Sequence, residues 1–209
     1  MENNEQMGTK SSATVSTARD YYNSDDADNF YFMIWGGEDI HIGIYNSPDE
    51  AIVAASRRTV ELMAVQVEPI SAETRVLDLG AGFGGASRYL AGAYGAEITA
   101  LNLSEVENQR HRRLNIQANL EDSIEVIDGN FENIPCADAY FDVVWSQDAL
   151  LHSGKRPQVL REVDRVLKPG GQFIFTDPMQ AEDCPEGVLQ PILDRIHLDS
   201  FGSPGFYRA

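Results

Sequence analysis

The sequence predicts an α/β fold built on a mostly parallel sheet, and three observations carry that expectation. Short apolar runs recur at Val76–Leu79, Glu97–Asn102, Ser123–Ile127, Phe141–Ser146 and Gln172–Thr176, and helix-length stretches separate most of them. The first run breaks into Gly80-Ala81-Gly82-Phe83-Gly84-Gly85 and then into Ala86-Ser87-Arg88-Tyr89-Leu90, which reads as strand, tight turn, helix. Two Ser-x-x-Glu helix starts, Ser47-Pro48-Asp49-Glu50 and Ser104-Glu105-Val106-Glu107, flank that unit. Strands and helices alternating at this spacing imply a doubly wound, Rossmann-like sheet covered on both faces, with ligands at the carboxyl edge of the strands.

Taken in order, residues 1–19 are polar with little to bury and read as a disordered tail. Residues 20–70 form an N-terminal lid and helix. Aromatics concentrate in Tyr21-Tyr22 and in Phe30-Tyr31-Phe32-Met33-Ile34-Trp35, ahead of the first strand and so outside the sheet. They either cover the flank of the domain or close over its ligand. The helix opened at Ser47 runs to about Val67, with Ile52, Ala55, Thr59 and Leu62 on one face. A helix from about Gly84 ends at Gly95, the helix opened at Ser104 runs to about Leu120, and one from about Arg156 stops at Lys168-Pro169-Gly170-Gly171 before the fifth strand. An apolar strand edge left open after strand five means either a short sheet or a fragment.

The chain has 209 residues, enough for one well-cored domain, with 33 acidic against 16 basic residues and a formal charge of -17. A phosphate backbone would be repelled, which argues against nucleic acid as partner. Two distant cysteines, Cys136 and Cys184, lack metal-ligand spacing and suit a reducing cytoplasm. No metal site is expected, and no apolar run reaches membrane-spanning length.

Gly80, Gly82 and Gly85 satisfy the dinucleotide fingerprint, whereas Gly80, Gly82 and Gly84 satisfy the looser pattern of S-adenosylmethionine (SAM) methyltransferases. The acid that would hold a ribose at the end of strand two is Asn102, a departure for both readings, although a carboxamide still bonds hydroxyls. Three loops decide between them. Asp128-Gly129-Asn130-Phe131 resembles the methyltransferase stretch that caps adenine, Ser146-Gln147-Asp148-Ala149-Leu150-Leu151-His152 resembles the loop facing the methionine half, and Leu167-Lys168-Pro169-Gly170-Gly171 resembles the turn before strand five.

The strings Phe30 to Tyr45, Leu77 to Gly82, Trp145 to Gly154 and Phe175 to Gln180 resemble the sarcosine/dimethylglycine N-methyltransferases of glycine betaine synthesis, over a span from about Asp20 to the last residue. That resemblance implies a class I methyltransferase domain at 71–178 and SAM as methyl donor. It also implies sarcosine or dimethylglycine as acceptor and an osmolyte as final product, which fits an acidic surface adapted to salt. Members of the family continue beyond the position of Ala209, so the resemblance implies truncation after strand five, with 179–209 the start of a substrate-side segment. Phosphoethanolamine or a lipid as acceptor, a SAM-binding module without activity and a nicotinamide dehydrogenase are the alternatives.

The expected cofactor site comprises Trp35, Asp78, Gly80, Ala81, Gly82, Asn102, Leu103, Asn130, Phe131 and Gln147. His152, just past strand four, is the candidate for stripping the acceptor's proton, with His41 and His197 weaker. Tyr31, Trp35, His152, Met179, Tyr207 and Arg208 are the candidate acceptor contacts. Their aromatic faces suit a quaternary ammonium product, and the guanidinium suits a carboxylate.

Overall fold

The structure is a computed structural model that describes residues 13–23, 35, 37–67, 69–196 and 198–208. Five strands, β1 (Arg75–Leu79), β2 (Glu97–Asn102), β3 (Ile124–Asp128), β4 (Phe141–Gln147) and β5 (Leu167–Thr176), form one sheet in the order β3-β2-β1-β4-β5. Every pairing is parallel. The chain winds outward from β1 through β3, then returns to lay β4 on the other side of β1. The order therefore reverses between β1 and β4, where crossovers leave in opposite directions and a crevice opens at the carboxyl edge.

Alternation along β1 explains the core. Val76 packs with Val60, Met63 and Ala64 of α2 (Ile52–Ala64; α1 is Ala13–Tyr22) and with Leu90 and Ala91 of α3 (Gly85–Tyr94). Leu77 and Leu79 point to the opposite face, against Phe141, Val144 and the Val159, Val163, Val166 stripe of α5 (Arg156–Val166). Burial on both faces turns the strand into a continuous apolar run. Leu77 and Leu79 are both fully buried, worth about 2 kcal/mol apiece. Among the described residues the other α-helices are α4 (Glu105–Gln117), α6 (Gln190–Ile196) and α7 (Pro204–Arg208), and a 3-10 turn spans Leu150–His152.

Several expectations need correction. Residues 13–19, expected in the tail, form most of α1, which is tied down where Arg19 Nε reaches Glu105 Oε2 at 3.2 Å and Asn23 Nδ2 donates to the same oxygen at 2.9 Å. Ser47 does not cap α2. Glu50, the acid expected to complete that box, instead accepts from Asn46 N at 2.7 Å and pairs with Arg58, so residues 46–50 make a turn and the helix begins at Ile52. The buried face of α2 is Ala55, Ser56, Thr59, Val60, Met63 and Ala64, while Leu62 is exposed. Lys168–Gly171 lies within β5, because pairing steps from Phe141 opposite Leu167 to Val143 opposite Gln172 and accommodates those residues as an irregularity.

Among the described residues no helix is long and apolar enough to cross a membrane. None of the groups of three or more His, Cys, Asp or Glu among them is arranged to hold a metal ion.

Candidate active site

A cleft opens at the carboxyl edge, where the chain leaves β1 and β4 in opposite directions. Its floor is the turn after β1. Gly80 N–H donates to Leu101 O at 2.8 Å, locking the turn to β2, and Gly80 has φ 73°. A side chain there would be strained, and its Cβ would lie 2.4 Å from Ala149 Cβ. A Cβ on Gly82 would meet Ile40 Cδ1 at 2.8 Å. Both glycines, with Ala81, line the cleft and leave backbone for a ligand to lie on.

Asp78, 3% exposed, accepts from Ser87 Oγ at 2.6 Å, and burial pushes its carboxyl up to about 6 despite that bond. It couples the end of β1 to the first turn of α3. Asn102, the last residue of β2, and Leu103 just past it form the adjoining wall. Asn102 is not alone there. Its Nδ2 donates to Glu107 Oε2 at 2.9 Å, and Glu107, 4% exposed, lines the same cleft. Ser104 Oγ accepts Glu107 N–H at 3.1 Å, so the cap predicted for α4 is present while the Glu107 carboxylate serves the wall. Asn130 and Phe131 follow β3 on the far side. Asn130 Oδ1 accepts Glu132 N–H at 2.8 Å, which makes it the pivot of its own loop.

The β4 side carries Gln147, Asp148 and His152. Asp148 stands at φ 48°, an unusual conformation for a residue with a side chain, and its Oδ2 accepts Ile42 N–H at 2.7 Å. His152 Nε2 lies 3.0 Å from Tyr22 Oη, with the rings edge to face at 5.4 Å. Burial, followed by the nearby Arg156, lowers the His152 imidazole to about 4, so it is neutral at pH 7 and its Nε2 is engaged. That posture suits a hydrogen-bonding wall better than a proton acceptor.

The last wall is a strap, residues 38–44, laid across from α2. Asp39 pairs with Arg57 at 2.9 Å and is 2% exposed, while its Oδ1 has no hydrogen-bond partner. Burial raises its carboxyl against the pull of Arg57. Arg88, buried behind the turn, donates to Glu38 Oε2, Asn115 Oδ1 and Phe83 O. The described lining thus includes Glu38, Asp39, Asp78, Glu107 and Asp148, and no lysine or arginine. Such a cleft attracts cations.

The remaining sequence-predicted residues lie elsewhere. Trp35 Nε1 donates to His41 O at 3.0 Å, placing the indole behind the strap rather than on the cleft wall. Met179 lines a separate apolar groove with Leu189 and Phe201. Tyr207 Oη donates to Asp177 Oδ2 at 2.7 Å, and Arg208 is exposed. Tyr31 and His197 lie outside the described residues. Sequence reasoning passed over Glu107, Tyr22, His41 and Asp148 as main site residues. Glu107 was absorbed into a capping box, and its position in the first turn of a helix leaving a strand end was the available signal.

A methyltransferase-domain family matches residues 77–175. The chain is 60% identical to a sarcosine/dimethylglycine N-methyltransferase of Halorhodospira halochloris, over 93% of this chain and 70% of that protein. It is 56% identical to an enzyme of the same name from Aphanothece halophytica, over 96% and 72%. Against the glycine/sarcosine/dimethylglycine N-methyltransferase of Actinopolyspora halophila identity is 62% over 94% of this chain, which spans 35% of that longer protein. Among solved structures, one from Galdieria sulphuraria assigned as a sarcosine dimethylglycine methyltransferase superposes with a TM-score of 0.83 at 47% identity, covering 90% of this chain and 71% of that one. The chain belongs to the sarcosine/dimethylglycine N-methyltransferase family of methyltransferase-domain proteins.

Proposed function

We propose that the cleft binds SAM and that the chain methylates the nitrogen of sarcosine, dimethylglycine or both, toward glycine betaine, releasing S-adenosylhomocysteine. The observation that carries this reading is 60% identity, over 93% of the chain, to an enzyme of that activity. When bound, SAM supplies an electrophilic methyl carbon on a sulfonium centre.

The residues fit such a group. Gly80 and Gly82 line the cleft with backbone, and a Cβ on either would collide with Ala149 or Ile40, so the turn stays bare enough for a ligand to lie against it. The paired Asn102 amide and Glu107 carboxylate supply acceptors and donors for ribose hydroxyls, restoring the acid that strand two lacks at its own end. Asn130, Leu103 and Phe131 flank the place for adenine, and Asp39 Oδ1, buried without a partner, is available to an ammonium. The β4 side, with Asp148, His152 and Tyr22, is left for the acceptor amine.

Catalysis by this chain then rests on alignment and desolvation in a site that favours positive charge. The acceptor must reach its free-amine form, and such amines hold their proton with a pKa of roughly 10, as lysine does. His152, lowered to about 4, is a poor match for that proton. Its neutral ring, held by Tyr22, orients the amine instead.

Calorimetric SAM binding to the 209-residue chain, followed by turnover with glycine, sarcosine and dimethylglycine, tests the reading. Binding with methylation of sarcosine or dimethylglycine supports it. Binding without turnover would retain the cofactor and refute the acceptor assignment for this chain; no binding by a folded sample would refute both.

A further inference from the structure

His41 is the middle of the strap, 7% exposed, and both ring nitrogens and its carbonyl oxygen are engaged. The carbonyl accepts from Trp35 Nε1 at 3.0 Å and from Ser56 Oγ at 2.9 Å. Ring Nε2 lies 3.1 Å from Gln147 Nε2, and Nδ1 lies 3.3 Å from Ile42 O. At the end of β4, Gln147 Oε1 in turn accepts from Trp145 Nε1 at 2.9 Å.

This chain of contacts has one consistent proton assignment. An indole N–H only donates, so the Gln147 oxygen faces Trp145 and its NH₂ group faces His41. An NH₂ group also only donates, so His41 Nε2 must accept and carry no proton. The ring proton then sits on Nδ1 and donates to Ile42 O. Protonating Nε2 would set N–H against N–H. We infer that Gln147 is a positioning residue: it holds His41 as the neutral Nδ1–H tautomer and through it seats the strap 38–44 over the cleft.

The charged groups that face His41 are Asp39 on the strap, Asp148 at the end of β4 and Arg57 on α2. The two acids favour a charged ring, and burial with Arg57 opposes it. The strap matters because Ile40 lies against Gly82 and because Glu38, Asp39 and His41 are themselves cleft wall. The effect on cofactor affinity rests on the proposed SAM site; the tautomer and the seating of the strap do not.

The test uses the full chain without ligand, labelled with ¹⁵N in histidine, with the His41 signals identified by their loss in His41→Asn. Wild type is expected to show the neutral Nδ1–H pattern between about pH 6 and 8, from the donor logic above. Gln147→Leu removes the donor. His41 should then leave the pure Nδ1–H form, the Ile42 and Ile44 amides should exchange faster, and SAM should bind about fivefold more weakly. Gln147→Glu offers a carboxylate to both Trp145 and His41, so it should make His41 doubly protonated at neutral pH and restore the slow exchange that Gln147→Leu loses. An Nε2–H or charged His41 in wild type overturns the inference, as does a Gln147→Leu variant with unchanged tautomer and exchange. Failure of wild type to bind SAM would strike the functional reading and leave the ligand-free spectra to decide this one.

Discussion

Replacing Glu107 by Gln isolates what the buried carboxylate does. Glu107 is 4% exposed and its Oε2 is 2.9 Å from Asn102 Nδ2, so the substitution keeps size and leaves an oxygen for Asn102 while removing the charge. The helix cap is untouched, because Ser104 Oγ takes the backbone N–H of residue 107. Hydrogen bonds to an ionised acceptor contribute about 1.5–3 kcal/mol and neutral ones about 1 kcal/mol. Two ribose hydroxyls on this wall would therefore lose about 2 kcal/mol, or roughly thirtyfold in Kd. The assay is calorimetric titration of wild type and Glu107→Gln with S-adenosylhomocysteine and with its 2′-deoxy analogue, closing a double-mutant cycle. Wild type should discriminate strongly against the deoxy analogue, and the variant should discriminate much less. Equal discrimination by both proteins, with melting temperatures alike, would refute the ribose assignment of Glu107.

Three further outcomes follow from the same geometry. Gly80→Ala meets Ala149 Cβ at 2.4 Å from a φ of 73°, so it should cost about 2–4 kcal/mol in urea unfolding and abolish SAM binding; unchanged stability would show that the turn relaxes freely. His111 is fully buried, neither ring nitrogen has a hydrogen-bond partner, and burial with Arg88 and Arg112 lowers it from 6.5 to about 3. Because the unfolded chain binds that proton first, the stability from the neutral ring is present above pH 6.5 and is lost as pH falls toward 3. Relative to His111→Gln, wild type should therefore lose about 2 kcal/mol between about pH 6.5 and 5. The comparison is against the variant because Asp78 and Asp177, both raised to about 6 by burial, gain on protonation and offset the change in wild type alone. A parallel pH dependence in the two proteins would contradict this. Finally, with His152 near 4, the methylation rate below saturation should rise about tenfold per pH unit from about pH 6.5 toward the acceptor's own pKa. A bell centred near neutrality would instead point to a titrating group on the protein.

The five strands with the helices that alternate with them, the glycine turn and the loops that follow the strands could be read along the chain, because each depends on residues close in sequence; α1, α6 and α7 could not. The Val76–Leu79 run, the φ demanded at Gly80 and the Ser104 cap are local matters of burial, backbone freedom and nearby hydrogen bonds. Contacts that depend on where one element lands on another obeyed no such rule, whatever the sequence separation. Whether Ser47 or Ile52 begins α2 was settled by Arg58 drawing Glu50 into a turn, and the buried face of that helix by where it landed on the sheet. Glu107 looked like half of a cap until Asn102 came within 2.9 Å of it. Tyr22 gained its meaning from His152, 130 residues away, and His41 from Gln147, 106 residues away. The acidic character of the cleft, and the neutral state of its histidines, arise from which charges folding desolvates together. Composition counts charges; only the tertiary structure decides which of them face one another out of water.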